Sequence, residues 1–209
     1  ASERASQNLF KQTALLTNEL GRYADDDLIA AWRESARRTI DWSRKNRAHA
    51  IVISKADRVL TVYKSGRKVL TYPIRLGSKG IRAKQYYGDG ATPEGEYRIQ
   101  RKRGPGQTPY FRALILDYPN AEDRRRFEEA QQAGLIPKNR QMPGLIQLHG
   151  IAQGITDQPY GSIVLDNPQI AVLFAQVAVG TPVNIVGALE SHNSVSLVLA
   201  DLGDQEEET

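Results

Sequence analysis

A chain of 209 residues, 40% apolar and 25% charged, has the make-up of a globular protein able to bury a sizeable core, one main domain with room for an appendage. It contains no cysteine, which excludes disulfides, thiolate metal sites and a cysteine nucleophile. No stretch approaches the roughly 18 uninterrupted apolar residues of a membrane span. The formal charge of +4 is unevenly placed: residues 201–209 hold five acids and no base, which leaves +9 on the rest, a field that attracts polyanions. Bases and acids are interleaved and the aromatic signature of RNA-recognition domains is missing, so nucleic acid is not the expected partner.

Residues 1–48 read as a helical arm. Leu9, Phe10, Ala14, Leu16 and Leu20 form a loose stripe that stops at Gly21. Asp25-Asp26-Asp27 then caps a second helix carrying Leu28, Ala31, Trp32, Ala36 and Ile40, with arginines and lysines gathered toward its negative end. Near Ala50 the period changes. Ile51–Ile53, Arg58–Tyr63 and Lys68–Leu76 are β-branched or aromatic runs, with Ser65-Gly66 placed for a tight hairpin turn. A glycine-rich, irregular stretch covers 77–95, and strands resume at Tyr97–Gln100 and Ala113–Tyr118.

Asn120 with Asp123 is a capping pair for a helix from Ala121, and Gly134 follows its end. Leu145–Leu148 and Ile163–Leu165 are short strands. Asn167-Pro168 opens a helix running to about Val179, and Val183–Val186 and Val195–Leu199 complete the strands. The expectation is a mainly β (α+β) fold: a helical arm over 1–48, a mixed-sheet domain with inserted helices over 49–190, and a C-terminal strand with an acidic, disordered tail over 191–209.

Of three histidines, His49 and His192 sit where they read as incidental, and none has metal-ligand spacing, so no metal or cofactor is expected. His149 ends an apolar strand and is followed by Gly150. Thirteen residues on, Gly161-Ser162 feeds the next strand, a turn whose successive N–H groups can hold an oxyanion while the hydroxyl faces a base. Asp157 and Asp166 are the nearby carboxylates. Arg75, Lys79, Arg82 and Lys84 are either groove cations for acidic groups or solvated loop charges. Tyr86, Tyr87 and Tyr110 either line a cleft or pack beneath a loop.

Several runs together resemble the L,D-transpeptidase catalytic domain (the YkuD family). They are Arg58–Gly66, Tyr72–Gly77, Gly90-Ala91-Thr92-Pro93-Glu94-Gly95, Tyr118-Pro119-Asn120 with Asp123, Ile146–Gly150, and Tyr160–Asn167, in order across about residues 50–187. The resemblance implies a β-sandwich-like mixed sheet and an envelope enzyme, periplasmic after signal removal, that acts at meso-diaminopimelate in peptidoglycan stem peptides. It makes His149 the base, the Gly150 carbonyl its orienter, the Gly161 and Ser162 N–H groups the oxyanion hole, and residue 162 the nucleophile. Tyr87, Arg82, Lys84 and Tyr160 are the expected substrate contacts. From its own stripe, the segment 1–48 reads as a helical hairpin packed on the main domain, with an arm for an envelope protein partner or a spacer from an N-terminal anchor as the alternatives. Three departures stand out: Ser162 occupies the cysteine position, Tyr160 replaces the usual histidine, and Val164 replaces an arginine. A serine hydroxyl is a far weaker nucleophile than a thiol unless its base is strongly oriented. Ser162 is therefore an inactivating, engineered replacement in an enzyme, a native residue in a protein that only binds stems, or a working nucleophile. Transfer to an amine and hydrolysis by water, as an L,D-carboxypeptidase or amidase, differ only in the acceptor.

Overall fold

The computed structural model describes residues 19–142, 144–152 and 161–199. The first arm helix is therefore described only from residue 19; its earlier part, Tyr160, Asp157 and the acidic tail lie outside the described residues. After a 3-10 turn at Arg22–Ala24, helix α1 runs Asp26–Asn46. The Asp25 carboxylate accepts from the Leu28 N–H and satisfies a first-turn donor. Its buried residues Ile29, Trp32, Ala36, Thr39 and Ser43 recur every three or four positions and form one stripe.

The strands are β1 His49–Ser54, β2 Val59–Lys64, β3 Arg67–Pro73, β4 Gly95–Arg103, β5 Ala113–Leu116, β6 Gln147–His149, β7 Ile163–Val164 and β8 Pro182–Val186. Helix α2 (Ala121–Gln132) lies between β5 and β6, and α3 (Asn167–Gln176) between β7 and β8. The strands make one mixed sheet ordered β3-β2-β1-β8-β4-β5-β6-β7, parallel at β1/β8 and β6/β7. The sheet curls until its ends meet: Arg75, just beyond β3, exchanges two backbone hydrogen bonds of 2.9 Å with Val164 of β7. The mixed sheet with inserted helices is as expected, and its form is a single sheet closing on itself. Inside lies the main core, built from Ile51, Ile53, Leu60, Tyr97, Leu114, Leu148, Ile163 and Ile185 among others.

Helix α1 covers the outer face of β1 and β8. Asn184 of β8 donates to Ser35 and Thr39 of the helix at 3.0 and 3.2 Å. Gly187 makes room for Trp32; a Cβ there would lie 2.2 Å from the indole. Local chemistry sets the turns as the sequence suggests. Ser65 and Gly66 take φ of 52° and 77°, the double positive φ of a tight hairpin. Asn120 and Asp123 form a reciprocal capping box.

Two expectations change. The last strand, Val195–Leu199, is helical over 194–199. The Asn193 carboxamide oxygen accepts from the N–H groups of Val195 and Ser196, an N-cap that outweighs the β-branched composition. Helix α3 stops at Gln176 rather than Val179, because Lys102 of β4 donates to the carbonyls of Phe174 and Val177 and closes its end.

Candidate active site at the sheet seam

The parallel pairing of β6 with β7 sets His149 beside Val164 and Leu148 beside Ile163. Leu148 and Ile163 point into the core. By strand alternation, His149, Val164 and Ser162 share the other face, with Ser162 two residues, roughly 7 Å along the strand, from the histidine's level. The Ser162 hydroxyl accepts from the Gln147 N–H at 3.3 Å, which fixes it against β6. The sequence pair His149 and Ser162 is thus brought together by one short parallel ladder.

His149 is 3% exposed and Ser162 7%. The imidazole Nδ1 lies 2.8 Å from the Gly150 carbonyl. A carbonyl can only accept, so Nδ1 carries the proton and Nε2 is left with its lone pair. Nε2 is buried and has no hydrogen-bond partner among the described residues. Burial lowers the imidazole pKa from 6.5, and the Gly150 carbonyl opposes that shift, so the ring is a neutral base at pH 7. Asp166, one of the nearby carboxylates, is turned away to Arg75 at 2.9 Å and does not orient His149.

Gly161 has φ +100°, and a Cβ there would fall 2.2 Å from the Ala91 carbonyl oxygen. Only glycine lets the turn pass so close to the 77–95 segment. The Gly161 and Ser162 N–H groups donate to no backbone carbonyl among the described residues. They are available to a negative oxygen beside residue 162. Gly150 is equally confined: its Cβ would meet the Asn167 Oδ1 at 2.5 Å. That same oxygen accepts from the Ile151 N–H at 2.8 Å and sets the turn leaving His149.

The other expected contacts separate. Tyr87 is 60% exposed, on a loop whose backbone joins Gln141. Arg82 pairs with Glu19 of the arm at 2.9 Å. The Lys84 side chain is 3% exposed and bonded to Asp89 at 2.6 Å, so its ammonium folds the 84–89 loop and does not face solvent. Asp89 completes that loop by accepting from the N–H groups of Gln85, Tyr86 and Ala91. Sequence reasoning missed Asn167, read only as a helix opener, and Lys55. Lys55 is fully buried and donates to the carbonyls of Arg82 and Thr92 at 2.7 Å and to Glu94 at 3.0 Å. Its one visible signal is a lysine two residues after the apolar run Ala50–Ile53. Glu94 also holds Arg22 of the arm through two hydrogen bonds, so arm, sheet and loop meet there.

A cleft of about 220 Å³ between α2 and the 83–94 segment includes neither His149 nor Ser162. Its charged walls are already engaged, Glu94 by Arg22 and Lys55, Lys84 by Asp89, and Asp123 by Tyr97. Among the described residues no three His, Asp or Glu side chains gather as a metal site, and no helix is long and apolar enough to cross a membrane.

Comparison with known proteins agrees with this layout. Over 78 residues, 35% of this chain and 32% of the relative, the sequence is 37% identical to the L,D-transpeptidase-type protein YafK of Escherichia coli (strain K12). The helical cell shape determining protein Pgp2 of Campylobacter jejuni superposes with a TM-score of 0.53 at 23% identity, over 80% of this chain and 63% of that one. Its K307A mutant gives 0.52 at 26% identity, over 76% and 55%. Bd1075 of Bdellovibrio bacteriovorus gives 0.52 at 22%, over 78% and 57%. The chain thus spans about a third of the curated relative and little more than half of these structures. With residues 48–185 matching the family model for the L,D-transpeptidase catalytic domain, the chain belongs to the L,D-transpeptidase (YkuD) family.

Proposed function

We propose that this domain acts on peptidoglycan stem peptides by acyl transfer through residue 162, in the bacterial cell envelope. The observation that carries the reading is the buried, neutral His149, whose Nε2 has no partner among the described residues, on the same sheet face as Ser162 and beside the Gly161 and Ser162 N–H groups. Residue 162 attacks the carbonyl of a meso-diaminopimelate, and its proton passes to His149 Nε2. The carbonyl oxygen becomes an oxyanion held by the Gly161 and Ser162 N–H groups. The intermediate collapses, the C–N bond breaks, and the leaving D-alanine takes the proton from the imidazolium. An amine then resolves the acyl-enzyme as a transpeptidase, or water does so as a carboxypeptidase. Tyr87, Arg82 and Tyr160 are proposed as stem contacts, and residues 1–48 as the side for an envelope partner.

The serine form is slow in this reading. A thiol is already a few per cent ionised at neutral pH, whereas a hydroxyl relies wholly on its base. His149 has a neutral carbonyl behind it, with no carboxylate to stabilise the imidazolium. That same feature favours a second reading, a stem-binding protein without turnover. Incubating tetrapeptide stems with the chain and with Ser162→Cys, followed by mass spectrometry, separates them. Released D-alanine or new cross-links from Ser162→Cys, and little from the serine form, are expected. Bound but unchanged stems with both forms would overturn catalysis and leave binding.

A further inference from the structure

The Tyr110 ring lies stacked on the imidazole of His149, with centroids 3.7 Å apart and planes 24° from parallel. The contact is fixed from both sides. The Tyr110 N–H donates to the Thr108 hydroxyl, and the Gly150 N–H donates to the Arg112 carbonyl at 3.0 Å, so the backbones carrying the two rings are tied together. A serine-type triad places a carboxylate behind its histidine, which both orients the ring and stabilises the cation formed on proton transfer. Here the Gly150 carbonyl orients the ring and favours its cation as a neutral dipole, without the full charge of a carboxylate.

We propose that the face of Tyr110 adds to that stabilisation: it is a positioning residue that holds the imidazole plane and stabilises the imidazolium formed when Nε2 takes the proton of residue 162. An aromatic face attracts a cation through its quadrupole, more strongly where water is excluded, and leaves a neutral ring almost unaffected. The stabilisation therefore arises as charge develops, and the resting histidine stays an unprotonated base. Among the described residues, the charged groups flanking the site are engaged elsewhere. The Arg112 guanidinium, from the start of β5, lies over the rings of Phe111 and Phe174. From the β7 and β3 side, Arg75 and Asp166 neutralise each other. No carboxylate among the described residues bonds to His149, which leaves the Tyr110 face as the group in contact with its ring.

This rests on His149 as the proton acceptor, but its test reads the imidazole and not turnover, so failure of the transpeptidase reading is seen separately. The pKa of His149 is followed by NMR through its ring protons in the full chain, in Tyr110→Phe and in Tyr110→Leu. Tyr110→Phe keeps the face and is expected to retain the pKa. Tyr110→Leu keeps an apolar cover without a face and is expected to lower it by about 0.5–1 pH unit. Where Tyr110→Leu fails to fold, Tyr110→Phe is compared with the same substitution made with ring-pentafluorinated phenylalanine, which keeps the shape and reverses the quadrupole. A lower pKa in the fluorinated form supports the proposal. A pKa in the leucine or fluorinated variant equal to or above that of Tyr110→Phe overturns it, because burial alone would then set the basicity.

Discussion

Replacing Lys55 with methionine tests whether the junction of arm, sheet and loop is held by an ion pair or in spite of one. The side chain is fully buried, and its ammonium bridges the carbonyls of Arg82 and Thr92 and the carboxylate of Glu94. Lys55→Met keeps much of the volume but leaves two carbonyls and part of a carboxylate without their donor. Removing one partner from such a buried pair costs about 3–5 kcal/mol. For a chain of this size that is a melting temperature lower by roughly 6–20 °C at pH 7. Urea unfolding with an unchanged m-value would measure the difference directly.

The pH dependence decides which force dominates. Burial lowers the Lys55 pKa from 10.5 to about 8, and Glu94 acts in the opposite direction without overcoming it. Between pH 8 and 10.5 the unfolded chain therefore binds the proton that the folded chain has released, so the stability contributed by Lys55 rises with pH. A shift of that size corresponds to about 3 kcal/mol. The stability gap between the parent and Lys55→Met should widen by up to that amount from pH 8 to 10.5. A gap that narrows instead would mean the pair with Glu94 outweighs burial, and would refute the reasoning.

Gly161→Ala places a Cβ against the Ala91 carbonyl at a φ of +100° and must push the turn outward. In the Ser162→Cys background a displacement near 1 Å should lower kcat about 100-fold on stem peptides while the protein stays folded, and undiminished kcat would remove the turn from the mechanism. Gly187→Ala overfills the Trp32 socket and should cost about 1–3 kcal/mol in thermal unfolding, with the NMR signals of His149 unmoved. Because burial lowers the His149 pKa, the acid limb of kcat/KM for Ser162→Cys should lie below pH 6.5. The unfolded chain takes up that proton first, so the histidine's contribution to stability should fall as pH drops below 6.5, and a His149→Gln control should lose that slope.

What could be read along the chain was the chemistry settled within a few residues. The Ser65-Gly66 hairpin, the Asn120–Asp123 capping box and the helix opened by Asn167-Pro168 each declare themselves locally, as did His149-Gly150 at a strand end. Where two local signals competed, the wrong one was followed: the apolar run after Val195 suggested a strand, but the Asn193 cap makes a helix. Long-range partners were not legible. Lys84 looked like one of a row of loop cations until the fold closed Asp89 over it. Nothing near Tyr110 in sequence indicates that its ring meets His149.

These unforeseen contacts also bear on whether the domain is built to react or only to bind. Gly161 is held at positive φ against a backbone oxygen, which restricts the position to glycine, and His149 Nε2 is buried without a partner among the described residues. A buried unsatisfied nitrogen costs about 1–3 kcal/mol. A surface that merely binds stem peptides requires neither, whereas a base poised beside a nucleophile turn requires both. Ser162 already accepts from the strand carrying that base, so at position 162 the departure from the family motif is one atom, oxygen in place of sulfur, beside the replacements at Tyr160 and Val164. The glycine-restricted turn and the open lone pair are the two features that support the proposed catalytic reading over stem binding alone.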